Sequence, residues 1–135
     1  MVKVNPMLEK ERKKILIVDD EKDILDSFSV FLRRNGYGVL VADNGKEGLS
    51  LAKKEIPNLI ILDLILPDID GSDVAVELLH DPSTRDIPIV FLTCILTKAE
   101  QQEAGEFIAN RCIVAKPTKP EEILSIIKDR IGPAL

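Results

Sequence analysis

The sequence predicts a doubly wound α/β domain built on a five-stranded parallel sheet. Two observations carry that prediction. Five short apolar runs are β-branched and continuous rather than alternating, as strands are when both faces are covered. Stretches with helical spacing separate them, punctuated by turn and cap residues. At 135 residues the chain has room for one domain, and a 45% apolar share is ordinary for a protein that buries a core.

The elements follow in chain order. The first strand is Ile15-Leu16-Ile17-Val18, and the stripe Ile24, Leu25, Phe28, Phe31 and Leu32 after it marks a helix closed by Asn35-Gly36. Val39-Leu40-Val41-Ala42 is the second strand and Leu59-Ile60-Ile61-Leu62 the third, followed by a helical stripe of Val74, Ala75, Leu78 and Leu79. Ile87 to Leu92 forms the fourth strand. Thr97-Lys-Ala-Glu100 after it is a capping box for the weakest helix, which carries Gly105 and a thin apolar face. Cys112-Ile113-Val114-Ala115 is the fifth strand. A second box, Thr118-Lys-Pro-Glu121, opens the last helix, with Pro120 in its first turn and Ile123, Leu124, Ile127 and Ile131 as its stripe. Residues 13–132 are expected to form this one domain, residues 1–12 a basic, flexible leader, and no output domain is expected.

The net charge of −5 is unevenly spread. Residues 1–14 carry +3 (Lys3, Lys10, Arg12, Lys13 and Lys14 against Glu9 and Glu11), which leaves −8 on the remainder. A body so acidic repels phosphate backbones, which argues against direct nucleic-acid binding. No apolar run approaches the roughly 20 residues of a membrane helix. The first 15 residues lack the apolar stretch of a secretory signal, and Cys94 and Cys112 cannot build a zinc cluster alone. A reduced, cytoplasmic compartment is expected.

The residues just after four of the strands can work together. Asp19-Asp20 follows the first, Asp63 the third, Thr93 the fourth and Lys116 the fifth. In an open parallel sheet these positions share the carboxyl edge, where ligands bind. Under the common flavodoxin-like order, 2-1-3-4-5, the three acids converge. Thr93 then lies one strand from Asp63, and Lys116 two strands away, roughly 10 Å, a gap that only a long side chain closes. Crowded carboxylates need a cation, and Mg²⁺ (or Mn²⁺) suits oxygen donors. The ion and Lys116 would in turn favour a phosphoryl group on Asp63, with Thr93 donating to one of its oxygens.

These residues give the chain its resemblance to the receiver domains of two-component response regulators, which accept phosphoryl groups from histidine kinases. The matching text is Ile15-Leu-Ile-Val-Asp-Asp-Glu21, Asp63-Leu-Ile-Leu-Pro67-Asp-Ile-Asp-Gly71, Val90-Phe-Leu-Thr93 and Lys116-Pro117. Four fragments in this order are highly specific, and the resemblance covers residues 13 to about 131. The resemblance implies that Asp63 is the phosphoacceptor and that Asp19, Asp20, Asp63 and the Ile65 backbone carbonyl hold Mg²⁺. Thr93 is then the switch hydroxyl and Lys116 the phosphate-binding cation, with a cis Lys116-Pro117 bond. The strand order rests on the same resemblance. So do the implied partners: a histidine kinase or phosphotransfer protein, an unidentified downstream protein, and a second copy through the face of the helix after Thr97, the fifth strand and the last helix.

Three positions depart from the family. Ile113 stands three residues before the lysine, where Tyr or Phe is usual, so signalling by rotation of a ring is not available. Ile65 and Ile95, two residues after Asp63 and Thr93, suggest a dry lid and a long-lived phosphoryl state. Taken singly, the site residues have plainer roles: Asp19-Asp20 as helix caps, Asp63 as a turn residue, Lys116 as a solvated surface lysine. Asp68 and Asp70 are expected to build the turn before Gly71, His80 to be exposed, and Cys94 to line the pocket rim.

Three functions compete. The favoured one is a phospho-switchable signalling module, substrate and partial catalyst rather than a turnover enzyme. An Asp-nucleophile phosphatase would need a second acid where Ile65 stands. A degenerate receiver that binds partners without phosphorylation would not need the intact pocket.

Overall fold

The structure is a computed structural model that describes residues 12–94 and 112–135. The sequence-predicted helix after Thr97, Ile95 and nearly all of the basic leader lie outside the described residues. Five strands, β1 (Lys14–Val18), β2 (Gly38–Ala42), β3 (Leu59–Leu62), β4 (Ile89–Thr93) and β5 (Cys112–Ala115), form one sheet in the order β2-β1-β3-β4-β5. Every pairing is parallel. Four helices are described: α1 (Lys22–Arg34), α2 (Gly45–Glu55), α3 (Gly71–His80) and α4 (Pro120–Ile131).

Continuous apolar strands make sense here because the sheet has a core on each side. Ile15, Ile17, Leu59, Ile61, Val90 and Leu92 point to one face, against Leu25, Phe28 and Leu32 of α1 and Ile123 and Ile127 of α4. Their neighbours Leu16, Val18, Ile60, Leu62 and Phe91 point to the other, against Ala52 of α2 and Val74, Ala75 and Leu78 of α3. The side-chain period of two feeds both cores from a single strand.

Three expectations need correction. The apolar runs of β2 and β5 suggested strands covered on both faces, but they are the sheet edges, and Val41 (39%) and Ile113 (41%) are exposed. The fourth strand begins at Ile89 rather than Ile87. The Ile87 N–H is spent on a turn with the Thr84 carbonyl, and Pro88 has no N–H to give. Thr118 does not cap the last helix. Lys119 occupies the cap position without a side-chain bond, and the Thr118 hydroxyl donates to the Glu122 carboxylate at 2.8 Å. Pro120 does stand at the start of α4.

Candidate functional site

Hydrogen bonding continues one residue past the ends of β1 and β3 and so sets the site. The Asp19 N–H donates to the Ala42 carbonyl at 3.1 Å and the Asp63 N–H to the Val18 carbonyl at 2.9 Å. With Val18 paired to Leu62, the two aspartates emerge side by side at the carboxyl edge. Asp20 joins them, and carboxylate oxygens of Asp19, Asp20 and Asp63 all lie within 4.8 Å of one another. The Lys116 N–H donates to the Thr93 carbonyl at 2.7 Å, which aligns the ends of β4 and β5 on the same edge.

The predicted reach of Lys116 is realised. Its Nζ lies 2.8 Å from Asp19 Oδ2 and 3.0 Å from Asp63 Oδ2, with the side chain buried. The Lys116-Pro117 bond is cis. Thr93 is buried, and its Oγ1 has no hydrogen-bond partner among the described residues. An unpaired buried hydroxyl costs about 1–3 kcal/mol, a cost that an acceptor placed beside it removes.

Among the described residues, the electrostatics are those of a site short of positive charge. Burial pushes the Asp63 carboxyl above the ordinary range, and the Asp19 charge adds to the rise, against the Ile65 N–H and the Lys116 ammonium. Burial likewise raises Asp19, partly offset by Lys116 and the Glu21 N–H. For Lys116 burial favours the neutral amine, but hydrogen bonds and charges from Asp19 and Asp63 outweigh it and fix the ammonium. Two buried carboxylates and an exposed third, served by one lysine, form an oxygen-only donor set that fits a hard divalent cation.

The loop after β3 is held in two places. The Gly71 N–H donates to the Leu64 carbonyl at 2.9 Å, and a Cβ on Gly71 would lie 2.0 Å from the Asp63 carbonyl oxygen, so only glycine fits. Asp68 goes beyond the turn role expected of it. Its carboxylate accepts from the Gly45 and Lys46 N–H groups at 2.7 and 2.9 Å, capping α2 from a different loop. Desolvation opposes that charge, but the N–H donors of Lys46, Gly45 and Ile69 outweigh it and bring the carboxyl down to about 2. Asp70 stands at the cap position of α3 without a side-chain bond, and neither acid joins the three-aspartate group.

Glu21 was missed in the sequence as a site residue. Its Oε1 lies 3.3 Å from Lys116 Nζ. The signal was an acid directly following Asp19-Asp20, but an adjacent acid is equally at home as a helix-start residue, which Glu21 also is. Cys94 is exposed and lines a cavity of about 510 Å³ with Glu21, Lys116 and Pro117, and both thiols are free. His80 is exposed. Ile65 is 54% exposed, and its N–H donates to Asp63 Oδ1 at 3.1 Å. Among the described residues no helix is long and apolar enough to cross a membrane.

Comparison with known proteins agrees with the fold. The family model of the response regulator receiver domain matches residues 15–128. A probable transcriptional regulator ycf27 of Porphyridium aerugineum is 37% identical over 118 residues, which are 87% of this chain and 48% of that protein. Protein PilH of Pseudomonas aeruginosa is 31% identical over 84% of this chain and 93% of its own length. The chain therefore spans about half the length of the ycf27 relatives it matches and nearly all of PilH. Among solved structures, Vibrio cholerae chemotaxis protein CheY4 superposes with a TM-score of 0.79 at 28% identity, covering 89% of this chain and 99% of that one. The receiver domain of the Pseudomonas aeruginosa sensor histidine kinase PA1611, solved with a magnesium ion in its active-site cleft, gives 0.80 at 26% identity, covering 90% and 98%. This chain belongs to the response regulator receiver domain family of two-component signalling.

Proposed function

We propose that the protein is a phosphoacceptor module. Asp63 takes a phosphoryl group from a phosphohistidine of a histidine kinase or phosphotransfer protein, and the modified domain changes its contacts with a downstream protein. The observation that carries this reading is the grouping of Asp63 with two further carboxylates and the Lys116 ammonium at one sheet edge.

In the transfer an Asp63 oxygen attacks phosphorus and the P–N bond breaks. The donor imidazole leaves with that electron pair, and the product is an aspartyl phosphate. Asp19, Asp20, Asp63 and the Ile65 carbonyl would hold Mg²⁺, whose chemistry is to neutralise charge on the carboxylates and the transferring group. Lys116, already 3.0 Å from Asp63, follows the new charge. The Thr93 hydroxyl gains an acceptor. The phosphoryl group adds close to two negative charges, so both residues are drawn inward at the ends of β4 and β5. That motion is transmitted to an edge strand that exposes Ile113 where the family usually has an aromatic ring. The domain is thus substrate and partial catalyst of its own modification.

Incubating the chain with a small-molecule phosphodonor, with and without Mg²⁺, and weighing the intact protein tests this. The expected result is one phosphoryl adduct that needs Mg²⁺ and is absent from Asp63→Asn. Steady release of inorganic phosphate from many esters would instead identify a phosphatase. No adduct and no metal binding would identify a phosphorylation-independent binding module.

A further inference from the structure

Glu21 touches the site twice without belonging to the three-aspartate group. Its N–H donates to Asp19 Oδ1 at 2.8 Å, and its carboxylate shares Lys116 with Asp19 and Asp63. Yet its side chain is 53% exposed, on the rim of the cavity that also contains Lys116 and Cys94. Lys116 Nζ lies 3.3 Å from Glu21 Oε1 and 3.0 Å from Asp63 Oδ2, so those two oxygens are no more than about 6.3 Å apart. A phosphoryl donor approaching Asp63 therefore enters the field of a fixed rim anion. It also meets a lysine whose charge is already partly neutralised by that anion.

We propose that Glu21 is a specificity-determining residue that penalises phosphodonors in proportion to their negative charge. The inference rests on the reading of Asp63 as the phosphoacceptor. Its consequence is discrimination against free dianionic donors and in favour of a phosphohistidine presented on a protein surface whose lysines or arginines offset Glu21. At about 6 Å in a water-like medium one unit of donor charge against one carboxylate changes a rate about threefold. Salt near 1 M, with a screening length of about 3 Å, removes most of that effect.

The test compares acetyl phosphate, a dianion at neutral pH, with phosphoramidate, a monoanion, at saturating Mg²⁺, following adduct formation by intact mass. In low salt Glu21→Gln is expected to accelerate the dianion about tenfold and the monoanion about threefold. Their rate ratio thus rises about threefold, Glu21→Asp keeps the wild-type ratio, and 1 M salt closes the gap by raising the wild-type ratio to that of Glu21→Gln. A ratio unchanged in Glu21→Gln, or a change that survives 1 M salt, overturns the proposal and leaves Asp63 as phosphoacceptor intact. A wild type that accepts phosphoryl from neither donor overturns the Asp63 reading, and this inference with it.

Discussion

At Gly71 the site has no room for a side chain, because the Asp63 carbonyl oxygen occupies the place a Cβ would take. Gly71→Ala is expected to cost about 1–3 kcal/mol in urea unfolding, as overpacking does, and to slow phosphoryl uptake by displacing Asp63. Ile65 offers the opposite experiment, since it is exposed and can change without disturbing the core. If it shields the phosphoryl group from water, Ile65→Asn hastens loss of the adduct severalfold, whereas an equal decay rate removes Ile65 from the account. The sequence made Asp19, Asp20, Asp63, Thr93 and Lys116 legible because each ends a strand, and strand ends share an edge whatever the loops do. It did not reveal that Glu21 reaches Lys116. That contact depends on a loop path and a side-chain conformation, neither of which leaves a periodic trace.

At the scale of elements, the clearest link is Asp68, which ties the loop carrying Asp63 and Ile65 to the first turn of α2. Its carboxyl is lowered from 3.8 to about 2 in the folded protein, so the native state binds its proton less readily than the unfolded chain. The stabilisation is therefore complete above about pH 4 and is lost as pH falls through about 2. Asp68→Asn should flatten the acid limb of a stability–pH curve over that window, and an unchanged limb would show that the cap contributes nothing. Strand and helix positions were legible because apolar runs and stripes are local. The exposure of β2 and β5 was not, because which strands lie at the edges depends on strand order, and that order came from the resemblance. The cap expected from Thr118 failed for a local reason, as its hydroxyl took the side chain of Glu122 in place of the backbone.

Across the whole molecule, the two cores on either side of the sheet brace the edge on which the acids stand. The end of the chain braces the opposite side. The Tyr37 hydroxyl donates to the Gly132 carbonyl at 2.8 Å, and the Lys13 N–H to the Ala134 carbonyl at 2.9 Å, joining the segment after α4 to the turn between α1 and β2 and to the approach to β1. Tyr37→Phe leaves the packing in place and removes one bond, so it is expected to cost about 1 kcal/mol in thermal or urea unfolding without altering phosphoryl uptake. A large loss of uptake would reveal a coupling across the sheet that the contacts do not suggest. These tertiary bonds were invisible in the sequence, where Tyr37 and Gly132 are simply a residue after a turn and a residue after a helix.

The most direct measurement is to locate the modified residue. Protein treated with phosphodonor and Mg²⁺ is reduced with borohydride, which converts an aspartyl phosphate to homoserine, and its peptides are sequenced by mass spectrometry. Homoserine at position 63, and only with Mg²⁺ present, is the predicted result. Homoserine at Asp19 or Asp20 instead, or an intact Asp63 in protein that carries a phosphoryl group, would contradict the account.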